Sequence, residues 1–260
     1  VGHDLTCVFG KSTVEEYLAA LNTLQDNEGR LESLSPEFLS DRSILMEALR
    51  LDGEQLEYTS DDIRSDRTMV IEAVRSRGNA LQEASEDLRA DYAVVMEAVR
   101  SNGLALEYAS EGLKAAREIV MVAVVQNGLA LQYASDVLRS DREVVMAACK
   151  QFDGSMWNFA SDELKNDREL ALFAVCHMRA GGILCEMNEE LRSDPEIVMQ
   201  SVKRCGDMLE YAADEFKSNR EIVLEAVKCH GVAFLFAAPD LRSDREIAMT
   251  AAKNSTSGTI

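Results

Sequence analysis

The chain has 260 residues, of which 27 are basic, 46 are acidic and 47% are apolar, and its formal charge is −19. The apolar fraction excludes a disordered chain, charged residues interrupt every apolar run before it reaches membrane-spanning length, and the acidic excess disfavours binding to nucleic-acid phosphates. With three prolines and 6% aromatic residues, the composition favours helices over strands. We therefore expect an all-α protein.

The N-terminal residues 1–13 are expected to form an extended segment outside the helical part, with residues 4–9 as a strand candidate. Residues 10–13 read Gly-Lys-Ser-Thr and resemble the end of a phosphate-binding loop. That motif also needs a glycine five residues earlier, where this chain has Leu5. Thr13 instead predicts a capping box that opens a helix over residues 14–24.

An internal repeat of about 25 residues dominates the rest of the chain. Its anchor, usually the aspartate of Ser-Asp-Arg, recurs with spacings of 25, 25, 25, 25, 26, 27, 25 and 25. The anchors are Asp41, Asp66, Asp91, Ala116, Asp141, Asp167, Asp194, Asn219 and Asp244. A glycine follows most anchors at Gly53, Gly78, Gly103, Gly128, Gly206 and Gly231, and an apolar residue follows each glycine position a few residues later. Residues 14–40 are then a degenerate capping repeat, residues 41–253 the tandem repeats, and residues 254–260 a tail.

Each copy predicts first a long helix. Ser140 and Glu143 have capping-box spacing, in which the serine hydroxyl accepts a hydrogen bond from the third helical amide. A helix of roughly ten residues follows, with Val144, Val145 and Ala148 on one side at helical spacing.

The remainder of each copy predicts a turn and two shorter pieces. In the copy that ends at Ser140, Asn127-Gly128 closes the long helix, with the glycine in a left-handed conformation. A short helix over residues 129–134 and a capped turn at Ser135 lead to the next anchor. The prolines fall where first helical turns are predicted, at Pro36, Pro195 and Pro239.

A unit of 25 residues cannot bury its own apolar face, so neighbouring copies must stack. The predicted fold class is an α-solenoid of about nine helical repeats. Residues 101–110 and 138–146 resemble the repeats of a domain of unknown function, the family numbered 4116. The resemblance covers about residues 31–255 and implies the fold, and it implies no activity.

Histidine and cysteine offer few sites for chemistry. The chain has three histidines and six cysteines, and no metal-binding spacing such as Cys-x-x-Cys. We expect free thiols in a reducing intracellular compartment, the cytoplasm or an organelle, with a removed targeting peptide compatible with the start at Val1. Cys176-His177 and Cys229-His230 both end long helices. We favour buried thiols beside solvent-facing imidazoles, with zinc or redox chemistry as the alternative.

Acids, arginines and tyrosines recur in register, which favours structural roles. Acidic pairs such as Asp61-Asp62 fall at the capped turn, where carboxylates stabilise a helix N-terminus. The recurrent arginine after the anchor predicts a ladder of ion pairs with acids of the adjacent copy, and the recurrent tyrosine predicts packing at the edge of the core. The arginines are Arg42, Arg67, Arg142, Arg168, Arg220 and Arg245, and the tyrosines Tyr58, Tyr108, Tyr133 and Tyr211. We therefore expect no catalytic residue, no cofactor and no metal.

Copies five and six differ from the others, because each is longer and its glycine joint is altered. Extra residues in a repeat form a loop on one face, often the binding face. The candidate protein-interaction residues are Phe152, Met156, Trp157, His177, Met178 and Arg179. The alternative is a harmless insertion in which Trp157 fills the core where leucine usually stands, and both interpretations stay open for Phe152, Met178 and Arg179.

The sequence thus predicts a non-catalytic scaffold that mediates protein–protein interaction, as an adaptor or as a structural subunit of a large complex. The alternative is the recognition arm of a multidomain enzyme or secreted effector. A nucleic-acid partner and a transmembrane segment are not expected.

Overall fold

The computed structural model describes residues 11–27, 29–34, 36–151, 154–177 and 182–255, and these residues form helices with no strand among them. The predicted extended segment and its strand candidate at residues 4–9 lie outside the described residues. The chain divides into two compact units, Val1–Ser135 and Asp136–Ile260. The all-α tandem-repeat architecture predicted from the sequence is confirmed.

Each full copy contains a long α-helix, then a 3-10 helix, then one short helical turn. The long helices are Arg42–Leu51, Arg67–Ser76, Tyr92–Ser101, Arg117–Gln126, Arg142–Gln151, Arg168–His177, Pro195–Arg204, Arg220–Cys229 and Arg245–Asn254. The 3-10 helices are Gly53–Tyr58, Gly78–Glu83, Gly103–Tyr108, Gly128–Tyr133, Gly154–Phe159, Leu184–Glu186, Gly206–Tyr211 and Gly231–Phe236. The short turns are Asp61–Arg64, Glu86–Arg89, Glu111–Lys114, Asp136–Arg139, Leu164–Asn166, Glu189–Arg192, Asp214–Lys217 and Pro239–Arg242.

The N-terminal helix is longer than predicted. It runs over Lys11–Asp26, so residues 11–13 belong to it and Thr13 is not its cap. Two 3-10 helices follow, Leu31–Ser33 and Pro36–Ser40, so residues 14–40 have the element order of a repeat. Pro195 and Pro239 each occupy the first turn of a helix, as predicted. Within the described ranges, no helix combines the length and the apolarity needed to cross a membrane.

The anchor aspartate caps the long helix, and the predicted serine cap is wrong by one residue. Oδ1 of Asp91 accepts hydrogen bonds from the backbone N–H groups of Ala93 at 2.9 Å and Val94 at 3.0 Å. The serine before the anchor belongs to the preceding short turn, because the Ser140 hydroxyl donates to the carbonyl of Asp136 at 2.9 Å. A side chain that satisfies two orphan amides explains why aspartate or asparagine recurs at the anchor.

The recurrent glycine permits close approach between copies, and the predicted left-handed conformation is wrong. Among the described glycines only Gly29, at φ 88°, has a positive φ. A Cβ on Gly103 would lie 2.3 Å from the carbonyl oxygen of Ala123 in the next long helix. Asn102 is extended, and its Oδ1 accepts a hydrogen bond from the N–H of Leu104 at 3.1 Å. The Asn-Gly pair therefore begins a 3-10 helix against the neighbouring copy.

The core of each copy combines one face of the long helix with the 3-10 helix. In Arg142–Gln151 the side chains of Val144, Val145 and Ala148 are fully buried, as predicted. The recurrent apolar residue of the 3-10 helix is fully buried at Leu56, Leu81, Leu106, Leu131, Trp157, Leu184 and Leu209. Burial of this kind is the main stabilising term of a folded repeat.

Backbone hydrogen bonds fix the register between consecutive copies. In the first unit the N–H of Ser110 donates to the carbonyl of Arg89 at 2.9 Å, and the N–H of Ser135 donates to that of Lys114 at 3.0 Å. Equivalent bonds in the second unit join Ser161 to Arg139, Ala213 to Arg192 and Ala238 to Lys217. In these copies the second residue after the 3-10 helix is thus tied to the short turn of the preceding copy.

Candidate functional site

The recurrent arginines pair with the anchor of the next copy. In the first unit Arg42 lies 2.6 Å from a carboxylate oxygen of Asp66, and Arg67 lies 2.9 Å from Asp91. In the second unit Arg168 contacts Asp194 at 2.6 Å. The hydrogen bond from Arg67 holds the pKa of Asp91 below its ordinary value. The predicted ladder is confirmed at these positions, where the guanidinium groups serve the stacking of copies.

Exposed acids recur at the start of the short turns. The Asp162 side chain is fully exposed, and that of Asp214 is 98% exposed. Lys165 and Lys217, three residues later on the same turns, are much less exposed. Pairs this exposed contribute little stability, and carboxylates favour a helix N-terminus, so the predicted structural role fits these acids.

The 3-10 helices of the first unit lie side by side and form a surface rich in tyrosine and acid. We call it the aromatic–acidic face, and it comprises Glu54, Glu57, Tyr58, Gln82, Glu83, Glu107, Tyr108, Gln132 and Tyr133. Tyr58 is 69% exposed. Burial and a hydrogen bond to Glu107 raise the pKa of Tyr133, so hydroxyl and carboxylate groups of successive copies meet here.

A shallow polar cavity of 320 Å³ opens at one end of this face, between Asp52, Glu54, Tyr58 and Arg30. A second one of 370 Å³ lies between Asp61, Gln82 and Arg89. Their linings carry carboxylates together with guanidinium groups.

Two residues of the candidate interaction set are buried. Met156 is 3% exposed and Trp157 is fully buried, so neither presents a surface to a partner. Trp157 fills the core at the leucine position, which was the alternative interpretation, and its indole nitrogen Nε1 has no hydrogen-bond partner. Phe152, Met178 and Arg179 lie outside the described residues, so their role stays a prediction.

His177 is the member of that set that the described structure places at the surface. Its Nδ1 lies 2.8 Å from the carbonyl oxygen of Phe173, and the two rings stack at 3.9 Å. The Lys150 ammonium lies 5.4 Å from the centroid of the Phe173 ring. The imidazole is therefore held at the end of its helix by local contacts.

Three side chains of metal-ligating types converge in the second unit. Cys205 and Asp207 lie at the start of Gly206–Tyr211, and His230 lies at the same position as Cys205 in the next copy. One ligand atom from each of the three lies within 4.8 Å of the others, and Nδ1 of His230 is 3.6 Å from Oδ2 of Asp207. We call this group the Cys–Asp–His cluster.

The electrostatics of the cluster come from burial and from nearby acid. Cys205 is 9% exposed, and burial raises the pKa of its thiol, although the backbone N–H groups of Asp207 and Met208 oppose the shift. Oδ1 of Asp207 is inaccessible to solvent and has no hydrogen-bond partner. His230 is exposed, with 51% of its side chain accessible.

The sequence pointed to one part of this cluster and missed the rest. The dipeptide pattern relates Cys229-His230 to Cys176-His177, two copies away. The residues that meet His230 belong to the adjacent copy, at identical or nearly identical repeat positions. The spacing of 25 residues from Cys205 to His230 is one repeat length, and it indicates that the two residues occupy the same position in adjacent copies.

The comparisons with known proteins identify the family of the chain, but they identify no individual related protein. A family model described as a domain of unknown function (DUF4116) matches residues 20–64, 66–114, 117–153, 179–217 and 219–257. No curated protein and no solved structure matches the chain.

Proposed function

Because the chain belongs to the DUF4116 family, whose description names no activity, we propose a function from its surface: a non-catalytic helical-repeat scaffold that binds other proteins. It acts as an adaptor or as a structural subunit of a larger assembly. The single observation that carries the proposal is the aromatic–acidic face of the first unit.

The composition of that face suits a protein partner. Tyrosine is enriched in protein interfaces, because its ring buries a large area while its hydroxyl keeps a hydrogen bond. Repeat proteins bind along surfaces to which consecutive copies contribute equivalent side chains. Here Tyr58, Tyr108 and Tyr133 occupy one repeat position, with Glu57 and Glu107 beside them.

The charge of the face indicates the chemistry of the partner. The carboxylates of Glu57 and Glu107 complement lysine and arginine side chains and repel phosphate, whereas Glu54 and Glu83 each lie near an arginine of the chain itself. Arginines that follow an anchor, such as Arg42 and Arg67, are paired with the next anchor within the repeats. We therefore propose a partner segment that is extended and basic.

Site-specific photo-crosslinking tests the proposal. A photo-reactive residue at exposed Gln132, on the aromatic–acidic face, should capture a protein from native extract, and mass spectrometry should place the crosslink in a segment of net positive charge. The same residue at Val125, on a long helix and 49% exposed, is the control position and should not capture that protein.

A matched aromatic pair sharpens the test. Capture at Gln132 should fall strongly in the Tyr58→Ala/Tyr108→Ala variant. It should persist in Tyr92→Ala, which removes a tyrosine of a long helix that is 45% exposed. Equal capture from Gln132 and Val125, or capture unaffected by the double variant, would contradict a binding role for this face.

A further inference from the structure

The Cys–Asp–His cluster supplies three different ligand atoms from two consecutive copies. We propose that Cys205, Asp207 and His230 bind a divalent transition-metal ion, with zinc as the ion the donor set fits best. A sulfur and an imidazole nitrogen favour zinc over magnesium or calcium, which prefer oxygen ligands throughout. Three protein ligands leave a fourth tetrahedral position for water or a partner side chain.

The distances between the ligand atoms are close to those of such a site. Zn–S bonds are about 2.3 Å long and Zn–N and Zn–O bonds are about 2.1 Å long, so the ligand atoms of a tetrahedral site lie roughly 3.3–3.7 Å apart. Nδ1 of His230 and Oδ2 of Asp207 already lie 3.6 Å apart. The remaining pairs of ligand atoms lie within 4.8 Å of each other.

The carboxylate of Asp207 gives an independent indication of a bound cation. The Asp207 side chain is 46% accessible and its Oδ2 faces His230, but its Oδ1 is removed from solvent and accepts no hydrogen bond from the described part of the protein. A buried carboxylate oxygen without a partner is costly. A metal ion ligated by this carboxylate would compensate that cost, and no protein donor does so.

Other copies show what the same position of the repeat accommodates. Asp52, Glu54 and Arg77 occupy the positions of Cys205, Asp207 and His230. There the Arg77 guanidinium lies 3.4 Å from Asp52 and 3.6 Å from Glu54. The first unit thus places a positive charge from one copy against two acids of the preceding copy.

In the second unit that guanidinium is replaced by an imidazole, and one acid is replaced by a thiol. The second unit thus has three potential metal ligands at the repeat positions where the first unit has the Arg77 guanidinium and two acids. The ion would then join two copies where Arg77 joins them in the first unit.

Cobalt(II) titration of the whole reduced, metal-free chain is the direct test. We expect thiolate-to-cobalt charge-transfer absorption that saturates at one equivalent and disappears when Zn²⁺ is added. Cys205→Ser should abolish this absorption. Asp207→Asn and His230→Gln should each weaken cobalt binding by about 100-fold or more, since even the loss of an outer-shell partner costs about 10- to 100-fold.

Two controls separate metal binding at this cluster from misfolding and from binding at the other Cys-His dipeptide. Cys205 makes no side-chain cap hydrogen bond to the 3-10 helix, and serine is a good cap residue, so circular dichroism of Cys205→Ser should match the wild type. The Cys176→Ser/His177→Gln variant removes the other Cys-His dipeptide and should bind cobalt as the wild type does. Zn²⁺ should raise the thermal midpoint of the wild type and leave that of His230→Gln unchanged.

Three results would overturn the proposal. The first is the absence of charge-transfer absorption at one equivalent of cobalt. The second is absorption that persists in Cys205→Ser. The third is an equal loss of binding in the Cys176→Ser/His177→Gln variant, which would place the metal at the exposed helix end.

Discussion

The glycine that begins each 3-10 helix makes the sharpest prediction about how copies stack. In Gly103→Ala the new methyl carbon would lie 2.3 Å from the carbonyl oxygen of Ala123, and 2.9 Å from Oε1 of Gln126. The Gln126 side chain can rotate away. The carbonyl cannot, because it accepts the N–H of Asn127 at 2.8 Å within the neighbouring helix.

The structure gives the size of the effect. The two copies would have to separate by about 1 Å to restore ordinary contact between the methyl carbon and the oxygen. This displacement acts on the fully buried Leu106 and Val124 as well. Overpacking a core typically costs about 1–3 kcal/mol, and a clash with a fixed backbone carbonyl belongs at the upper end, so we expect a loss of about 3 kcal/mol.

Gly112→Ala is the matched control in the same unit. Gly112 lies in the short turn Glu111–Lys114, and a Cβ there would meet nothing within 4 Å. Alanine should stabilise this turn by about 0.5–1 kcal/mol, because glycine loses more backbone entropy on folding. The two substitutions are chemically identical and should shift stability in opposite directions.

Urea denaturation followed by circular dichroism measures both variants against the wild type. A Gly103→Asn variant distinguishes the two explanations of this glycine. Asparagine tolerates a left-handed conformation, so it would be accepted if the backbone angle were the reason, and it should destabilise strongly if close approach is the reason. Wild-type stability of either Gly103 variant would refute the packing described here.

Three further predictions concern the anchors and the core. Asp91→Ala should lower the free energy of unfolding by about 1 kcal/mol, whereas Asp91→Asn should cost less because asparagine still caps the helix, as urea denaturation would show. The pKa values of Asp66 and Asp91 in the folded protein lie below the ordinary value of 3.8. The two ionised carboxylates therefore add their full contribution to the free energy of unfolding above the unfolded pKa, and this contribution is lost as pH falls through the folded pKa. When the urea midpoint is measured from pH 7 down to pH 3, it should therefore fall near pH 3, and it should fall less in Asp91→Asn. An equal dependence of the midpoint on pH in the wild type and in Asp91→Asn would exclude this linkage. Trp157→Ala should cost about 3–5 kcal/mol by opening a cavity, and Trp157→Leu should cost less because leucine fills this position in other copies; a reversed order of midpoints would contradict the core assignment.

The sequence predicted the repeat and the order of its elements because both depend on local patterns. Spacing, apolar periodicity and proline position placed the long helices, and the fully buried Val144 and Val145 match that placement. The cap was wrong by one residue because Ser140 and Asp141 are both good caps. The choice between them depends on where the preceding short turn ends, and that turn includes the serine.

The features that were missed depend on contacts between copies. An Asn-Gly pair after a helix is equally typical of a left-handed helix end and of the tight approach that Gly103 makes to Ala123. Only the neighbouring copy distinguishes them. The Cys–Asp–His cluster is likewise invisible to a search for local spacing, because His230 comes from the copy that follows Cys205 and Asp207.

The arginine–aspartate ladder has a consequence for how such a chain can change. Most copies carry both halves of a connector, an arginine that points forward and an anchor that receives the previous arginine, so the duplication or deletion of such a copy leaves no unmatched charge within its unit. Where the forward residue is not arginine, the receiving anchor has lost its charge too: Tyr92 is followed by Ala116, and Pro195 by Asn219. The arginine and the aspartate that would receive it are therefore absent together, as expected if each residue is retained only while the other is present.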